Sequence, residues 1–431
     1  MFFIANEYWK GESMLQRRFL YLILAILTML VSGVMYTFTV FSGPISADFE
    51  VAEATVSLIF SGSQCCFFIG GLILGYIFRK LDYKMISVLA SVGIGMGLFL
   101  ASCTNGMLTL FLTYCVLANI SAGVLYKASM AAVLPWFSDE PGLVGGITLM
   151  GAGLTAFIFN LPMTRIIEVT DWRLAMALFA LIALIITMAA ALNIKVRPRQ
   201  EKPEKVLGEQ SLGIRDAARD ITTGEMLKSG KFYLFFVWSV LMLAGSTSVA
   251  GNAVGIAGQI GLSAGAAAVM TMILSAFNSI SRIFYGALYD HKGRKITMGM
   301  AGIVFAMGAG GLLLALFMRS VVLIAISFAM IGMSMGGAAS IASAYILNTF
   351  GQANYAGNYG VQGSFSLFSS FFGTTVFSFL YRFTDNYIVS YLYEAIYAAI
   401  ILALYLALNR LMNVETAERH RNNLNREGCM P

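Results

Sequence analysis

Charge is the scarcest ingredient of this chain. Only 12% of its 431 residues are Asp, Glu, Lys or Arg, about half the share found in soluble domains, and 58% are hydrophobic. That balance excludes an ordinary water-soluble domain and sets a membrane context. Histidine is reduced to His291 and His420, both in polar segments, so neither offers a proton site within an apolar run. Five cysteines (Cys65, Cys66, Cys103, Cys115 and Cys429) have no metal-ligand spacing and no disulfide framework. Four of them lie in apolar runs and read as small packing residues. Seven prolines beside 43 glycines exclude a low-complexity chain and fit helices that pack through small residues. No nucleophile–base pair, metal cluster or phosphate loop stands in a water-accessible setting, so neither an enzyme nor a cofactor is expected. The net charge of +6 is spread over short connections and forms no continuous patch, which argues against a nucleic-acid partner.

What is present is a succession of apolar runs. A hydrocarbon core of about 30 Å needs roughly 20 helical residues per crossing. Twelve runs qualify: 19–42, 54–78, 85–103, 107–134, 142–167, 173–194, 232–256, 264–289, 296–317, 321–347, 355–381 and 387–409. The expected class is an all-α membrane protein of twelve transmembrane helices in two six-helix halves. Residues 1–18 form an N-terminal segment, 19–194 the first bundle, 195–230 a charged linker with a short surface helix near Ile214 to Asp220, 231–412 the second bundle and 413–431 a tail. No small-residue cleavage site follows the first run, which therefore reads as a retained helix. With both termini inside, 22 of the 28 Lys and Arg residues fall in inner segments. Only Arg165, Arg173, Arg319 and Arg382 fall outside, so the termini are expected to be cytoplasmic. Pairs of glycines four apart (Gly71/Gly75, Gly93/Gly97 and Gly332/Gly336) mark close helix packing.

The two cations left over are Lys127 and Arg282, each inside an apolar stretch with no acid beside it in sequence. A charge at the centre of a membrane helix costs about 2.5–3.5 kcal/mol on insertion scales, and such residues usually serve a pathway or a site. Lys127 lies nine residues before Trp136, and Arg282 eight before Asp290. At about 1.5 Å per residue, both sit about 12–14 Å from their inner ends, one in each half. Two readings stand for Lys127: a ligand at the midplane, or a side chain that snorkels to the inner interface. Asn119, Asn160, Asn252, Asn278, Gln64 and Gln362 read mainly as interhelical hydrogen-bonding groups, and Asn278, one turn from Arg282, is also a candidate to orient it. Glu394 is the one plausible intramembrane acid, expected near the outer end of the last helix, where an interface role is favoured over a proton relay.

Several motifs carry a resemblance. GALYDHKGRK, from Gly286 to Lys295, follows the eighth run, and the degenerate GYIFRKLDYK, from Gly75 to Lys84, follows the second. The former resembles the signature loop of the major facilitator superfamily. With GVMYTFTVFSGP (Gly33 to Pro44), PWFSDEPGLVGGI (Pro135 to Ile147), the triplet Asp171-Trp172-Arg173, NSISRIFYG (Asn278 to Gly286) and NTFGQANYAGNYG (Asn348 to Gly360), the chain is similar to the oxalate/formate antiporter-like branch, relatives of the monocarboxylate transporters. That resemblance implies a plasma-membrane carrier that acts as a monomer, with a central cavity for small carboxylates. Arg282 holds the place of a substrate-binding arginine, and a guanidinium suits a carboxylate because its planar fork donates two parallel hydrogen bonds. The resemblance also implies a cytoplasmic gate at Asp290, Gly286 and Arg294. The lysine that oxalate-handling members carry in helix 11 is missing; Gln362 and serines stand there, and Lys127 is a candidate substitute. The acid one turn before the helix 8 arginine of proton-coupled relatives is also missing, with Asn278 in its place. Tyr36, Tyr126 and Tyr345 are cavity candidates, with plain packing an equal alternative in a chain that is 13% aromatic. Exchange of small carboxylates by alternating access is the leading expectation. Proton-coupled uptake and a non-transporting membrane sensor of the anion are the alternatives, and the lack of an extra soluble domain weighs against the sensor.

Overall fold

A computed structural model describes residues 2–78, 80–137, 139–196, 220–252, 256, 259–262, 264–370, 372–373, 376–384 and 387–427. Arg79 and most of the expected linker, with its surface helix short of Asp220, lie outside these residues. Among the described residues every regular element is helical. In chain order they are α1 Phe2–Ser32, α2 Phe38–Asp48, α3 Glu53–Ile77, α4 Tyr83–Ser102, α5 Met107–Leu110, α6 Ile120–Val133, α7 Pro141–Val169, α8 Trp172–Asn193, α9 Thr223–Met226, α10 Gly230–Gly251, α11 Ala264–Met318, α12 Val321–Phe350, α13 Tyr355–Gly363, α14 Phe365–Ser370, α15 Val376–Thr384 and α16 Tyr387–Glu427. Nine stretches among the described residues are long and apolar enough to cross a bilayer. One of these, Val269–Met318, contains most of two expected runs, which meet at Gly293, where φ is 73°. Glycine adopts that left-handed backbone without the steric penalty of a Cβ. The first copy of the motif has Asp82 at the matching place, and there the chain turns through an extended residue before α4 instead.

The chain divides into two compact units. The first comprises Met1–Ile221, Arg282–Asp290 and Ala342–Leu367; the second comprises Thr222–Ser281, His291–Ile341 and Phe368–Pro431. In the first unit, Gly75 and Gly97 are where backbones touch, whereas Gly71 and Gly93 meet the side chains of Lys127 and Ser121. A Cβ at Gly97 would lie 2.6 Å from the Ala118 nitrogen, and one at Gly75 would lie 3.0 Å from the Gly357 Cα. A Cβ at Gly123 would overlap the Phe67 carbonyl, and one at Gly146 the Arg282 carbonyl. In the second unit, Gly332 and Gly336 meet the carbonyls of Leu274 and Asn278 in the same way. The apolar core of that unit gathers Val249, Met270, Leu274, Leu312, Phe328 and Tyr391.

The first expected run is not one continuous helix. It breaks after Ser32 into a 3₁₀ turn, Val34–Thr37, and resumes as α2. Gly33 is pressed so closely on α7 that a Cβ would overlap the Thr155 hydroxyl. The break frees carbonyls, and side chains answer them. Tyr114 donates its hydroxyl to the Val34 carbonyl at 3.0 Å, and Thr155 donates to the Leu30 carbonyl at 2.7 Å. A π-helical stretch, Phe111–Asn119, joins α5 to α6. Asn119 donates to the Tyr114 carbonyl within that stretch at 2.9 Å, and Asn252 donates to the Ser248 carbonyl in its own helix. Each of these two amides thus answers a carbonyl of its own helix, because irregular or terminal backbone leaves carbonyls to be satisfied nearby.

Glu394 also departs from expectation. It is 1% exposed, sits inside the second unit and is hydrogen-bonded to Ser248. Helix α10 packs along α16 closely enough, through Gly245, to bury it.

Candidate functional site

Lys127 and Arg282 are both buried, 5% and 7% exposed, and both belong to the first unit. Lys127 projects from α6 past Gly71 and ends with its ammonium 3.4 Å from the centroid of the Tyr359 ring and 5.5 Å from that of Tyr126. A Cβ at Gly363 would lie 2.7 Å from its Nζ. The side chain thus runs through a slot that two glycines leave open, and it ends on an aromatic face. Among the described residues it has no carboxylate within ion-pair distance and no hydrogen-bond partner. A desolvated cation over a ring gains about 2 kcal/mol, which eases the burial without neutralising the charge.

Arg282 donates from Nη1 to the Leu149 carbonyl of α7. That bond orients the guanidinium but leaves its positive charge intact, since a carbonyl is neutral. Arg282 lies within electrostatic reach of both Tyr126 and Tyr359, and Tyr36 within reach of Tyr126. Tyr355 stacks on Tyr359 with centroids 5.2 Å apart and hydrogen-bonds the Ser343 hydroxyl at 2.9 Å. The structure therefore brings Lys127, Arg282, Tyr126 and Tyr36 into one neighbourhood and adds Tyr355 and Tyr359. Tyr36 sits in the 3₁₀ turn that breaks the first helix and is 36% exposed. Gln362 is fully buried two residues before Ser364, which separates α13 from α14. Two helix interruptions, at Gly33 and at Ser364, thus flank the cluster.

Other candidates lie elsewhere. Tyr345 is fully buried and packs edge-on to Phe350 at 6.1 Å. Asn278 and Arg294 belong to the second unit, where the Asn278 carbonyl backs onto Gly336. Asp290 caps a helix. Its two carboxylate oxygens accept from the Gly142 and Leu143 amides at 2.9 and 2.7 Å. Those amides open α7, whose own N-cap residue, Glu140, makes no side-chain cap. Gly286 lies against Gly142, with no room for a Cβ on either. A carboxylate here meets both the free amides and the positive end of the helix dipole. Replacing Asp290 by Ala is expected to destabilise the detergent-solubilised protein by about 1–2 kcal/mol. Asn, which keeps an acceptor, should recover part of that loss in a thermal melt.

The triplet Asp171-Trp172-Arg173 has a structural role. Asp171 caps α8 through the Leu174 amide at 2.7 Å, and Arg173 pairs with Asp48 at 2.6 Å while donating to the Thr104 carbonyl.

Glycine substitutions separate slot from scaffold. Gly363→Ala meets only the mobile end of Lys127, so the fold should persist while the lysine is displaced. Gly123→Ala meets the Phe67 backbone, so the yield of folded protein should fall sharply. Size-exclusion profiles of the two variants compare these outcomes directly.

Comparison with known proteins places this geometry in a family. The model described as "Major Facilitator Superfamily" matches residues 24–374. The chain is 27% identical over 382 residues to the oxalate:formate antiporter of Oxalobacter formigenes, covering 85% of this chain and 86% of that one. It is 24% identical over 345 residues to the uncharacterized MFS-type transporter YhjX of Escherichia coli (strain K12), covering 80% and 83%. Among solved structures, the proton:xylose symporter XylE bound to 6-bromo-6-deoxy-D-glucose shares the fold, with a TM-score of 0.67 at 14% identity over 92% of this chain and 96% of that one.

Proposed function

The chain belongs to the Major Facilitator Superfamily, and from that premise we propose that it exchanges small organic carboxylates across the plasma membrane by alternating access. Members of this superfamily are multi-pass transporters of small molecules and not enzymes. The observation that carries the finer reading is Lys127: a buried ammonium resting on Tyr359 with no acid beside it among the described residues. A buried charge without a fixed counter-ion is costly. A mobile anion shared with Arg282 supplies the missing charge when it binds and returns the cost when it leaves. The planar fork of Arg282 suits one carboxylate, and the point charge of Lys127 suits a second oxygen or a second carboxylate. Tyr36, Tyr126 and Gln362 would line the same site, with Tyr345 a more distant candidate. Twelve helices in two six-helix halves, with both termini cytoplasmic, complete this reading; its support is the distribution of Lys and Arg. Asp290, Gly286 and Arg294 would then lie on the cytoplasmic side, where the cap that Asp290 places on α7 acts as a latch to be broken in each cycle.

The identity with the oxalate:formate antiporter supports anion exchange as the mode. A counterflow screen tests the proposal: proteoliposomes loaded with formate, oxalate, acetate, lactate or pyruvate are diluted into the labelled anion. Transient accumulation of at least one labelled carboxylate is expected. Accumulation of none, with a neutral sugar transported instead, would refute the carboxylate reading.

A further inference from the structure

The second unit contains a buried acid that the site above does not use. Glu394 of α16 is 1% exposed. One carboxylate oxygen, Oε1, is bonded to the Ser248 hydroxyl of α10; the other, Oε2, is buried without a hydrogen-bond partner. Gly245, one turn before Ser248, makes room for it, since a Cβ there would lie 2.8 Å from Oε2. Phe305 closes the same space from α11. The titratable groups that face Glu394 are the Tyr393 and Tyr397 hydroxyls of its own helix. These two hydroxyls bond to one another, and Tyr393 donates to the Phe372 carbonyl at 2.7 Å. From α10 it meets a serine and a glycine, and from α11 a phenylalanine. Among the described residues no Lys, Arg or His pairs with it.

Counting protons favours the protonated acid. Ser248 Oγ also lies 2.6 Å from the Gly245 carbonyl, which can only accept. A serine has one proton to donate. If Glu394 were ionised, that proton would be contested between a carbonyl and a carboxylate. The carboxylate would also keep a buried charged oxygen without any donor, one of the most costly arrangements in an apolar interior. If Glu394 carries a proton on Oε1, each bond has its own hydrogen: Glu394 donates to Ser248, and Ser248 donates to Gly245. Oε2 is then a neutral carbonyl oxygen. We propose that Glu394 and Ser248 form a proton-binding site, occupied in this conformation, whose loss of the proton loosens the contact between α10 and α16. The ligand is a proton, taken from and returned to water. Ionisation would leave a charge that this contact cannot satisfy, so the emptied site requires water to enter or the helices to part. The sign follows: the packed form holds the proton more tightly than the opened form, so the packing weakens as pH rises.

Infrared spectroscopy and amide exchange on the purified full chain test the site without any transported substrate, and so independently of the carboxylate reading. The carbonyl stretch of a protonated carboxyl should be present at neutral pH, absent in Glu394→Gln and shifted in Ser248→Ala, which removes the acceptor. Exchange of the amides from Ala244 to Gly251, corrected for intrinsic pH dependence, should accelerate with pH in the wild type. In Glu394→Gln, a neutral mimic of the occupied site that should fold normally, it should stay flat. A spectrum unchanged by Glu394→Gln would overturn the proposal. So would corrected amide exchange with the same pH dependence in both proteins.

Discussion

Arg282→Gln is expected to abolish carboxylate binding and exchange while leaving a folded protein. Removing one partner of a buried charge-assisted contact loses about 2–5 kcal/mol, which is about 30-fold to several thousand-fold in affinity. Gln can still donate to the Leu149 carbonyl that Arg282 now engages, so the helix contact need not collapse. Arg282→Lys tests a finer point. It retains the charge and discards the planar fork, so affinity should recover only in part. Titration of the purified variants with a transported carboxylate, alongside a thermal melt, separates lost recognition from lost folding. Full affinity in Arg282→Gln would remove the residue from the site.

Lys127→Gln should also fall steeply, by about 10- to 150-fold in exchange, because a hydrogen bond to a charged group contributes about 1.5–3 kcal/mol. Lys127 has a neutral alternative partner in the Tyr359 ring. The ring stabilises the ammonium when the site is empty, so the anion must compete with it. Tyr359→Leu therefore changes the empty state more than the loaded one, and it should leave the carrier binding its anion at least as tightly while lowering the yield of folded protein. Equilibrium binding measured on Lys127→Gln and Tyr359→Leu side by side checks the opposite signs. If both weaken binding equally, Tyr359 is a ligand and not a resting place for the lysine.

The two cations are legible from sequence because a charge in an apolar run is costly in any fold, whatever surrounds it. Their surroundings are not. Tyr359 is one tyrosine in a chain rich in aromatics, and nothing in NTFGQANYAGNYG separates it from packing until α13 is set against α6. The break at Gly33 is hidden among 43 glycines, since only close approach distinguishes a glycine that interrupts a helix from one that packs it, and the break at Ser364 falls on a residue that is neither glycine nor proline. Asp290 is readable as part of a motif, but the Gly142 and Leu143 amides that it caps are backbone donors and carry no side-chain signature. Glu394 reads as an interface residue in sequence, which cannot show that Gly245 opens a space for it. Both the motif and the all-helical superfamily fold follow from patterns that hold along whole helices, whereas the contacts depend on which helices meet.

In the proposed cycle an anion serves as the counter-charge for Lys127 and Arg282. An empty carrier then has to change conformation with the Lys127 ammonium buried and no anion beside it, which is slow, whereas the loaded carrier does not. The direct measurement is efflux of a labelled carboxylate from proteoliposomes, into buffer with and without the same unlabelled anion. The expected result is exchange faster than net efflux by tenfold or more. Equal rates would contradict it, for they would mean that the empty site crosses as readily as the occupied one.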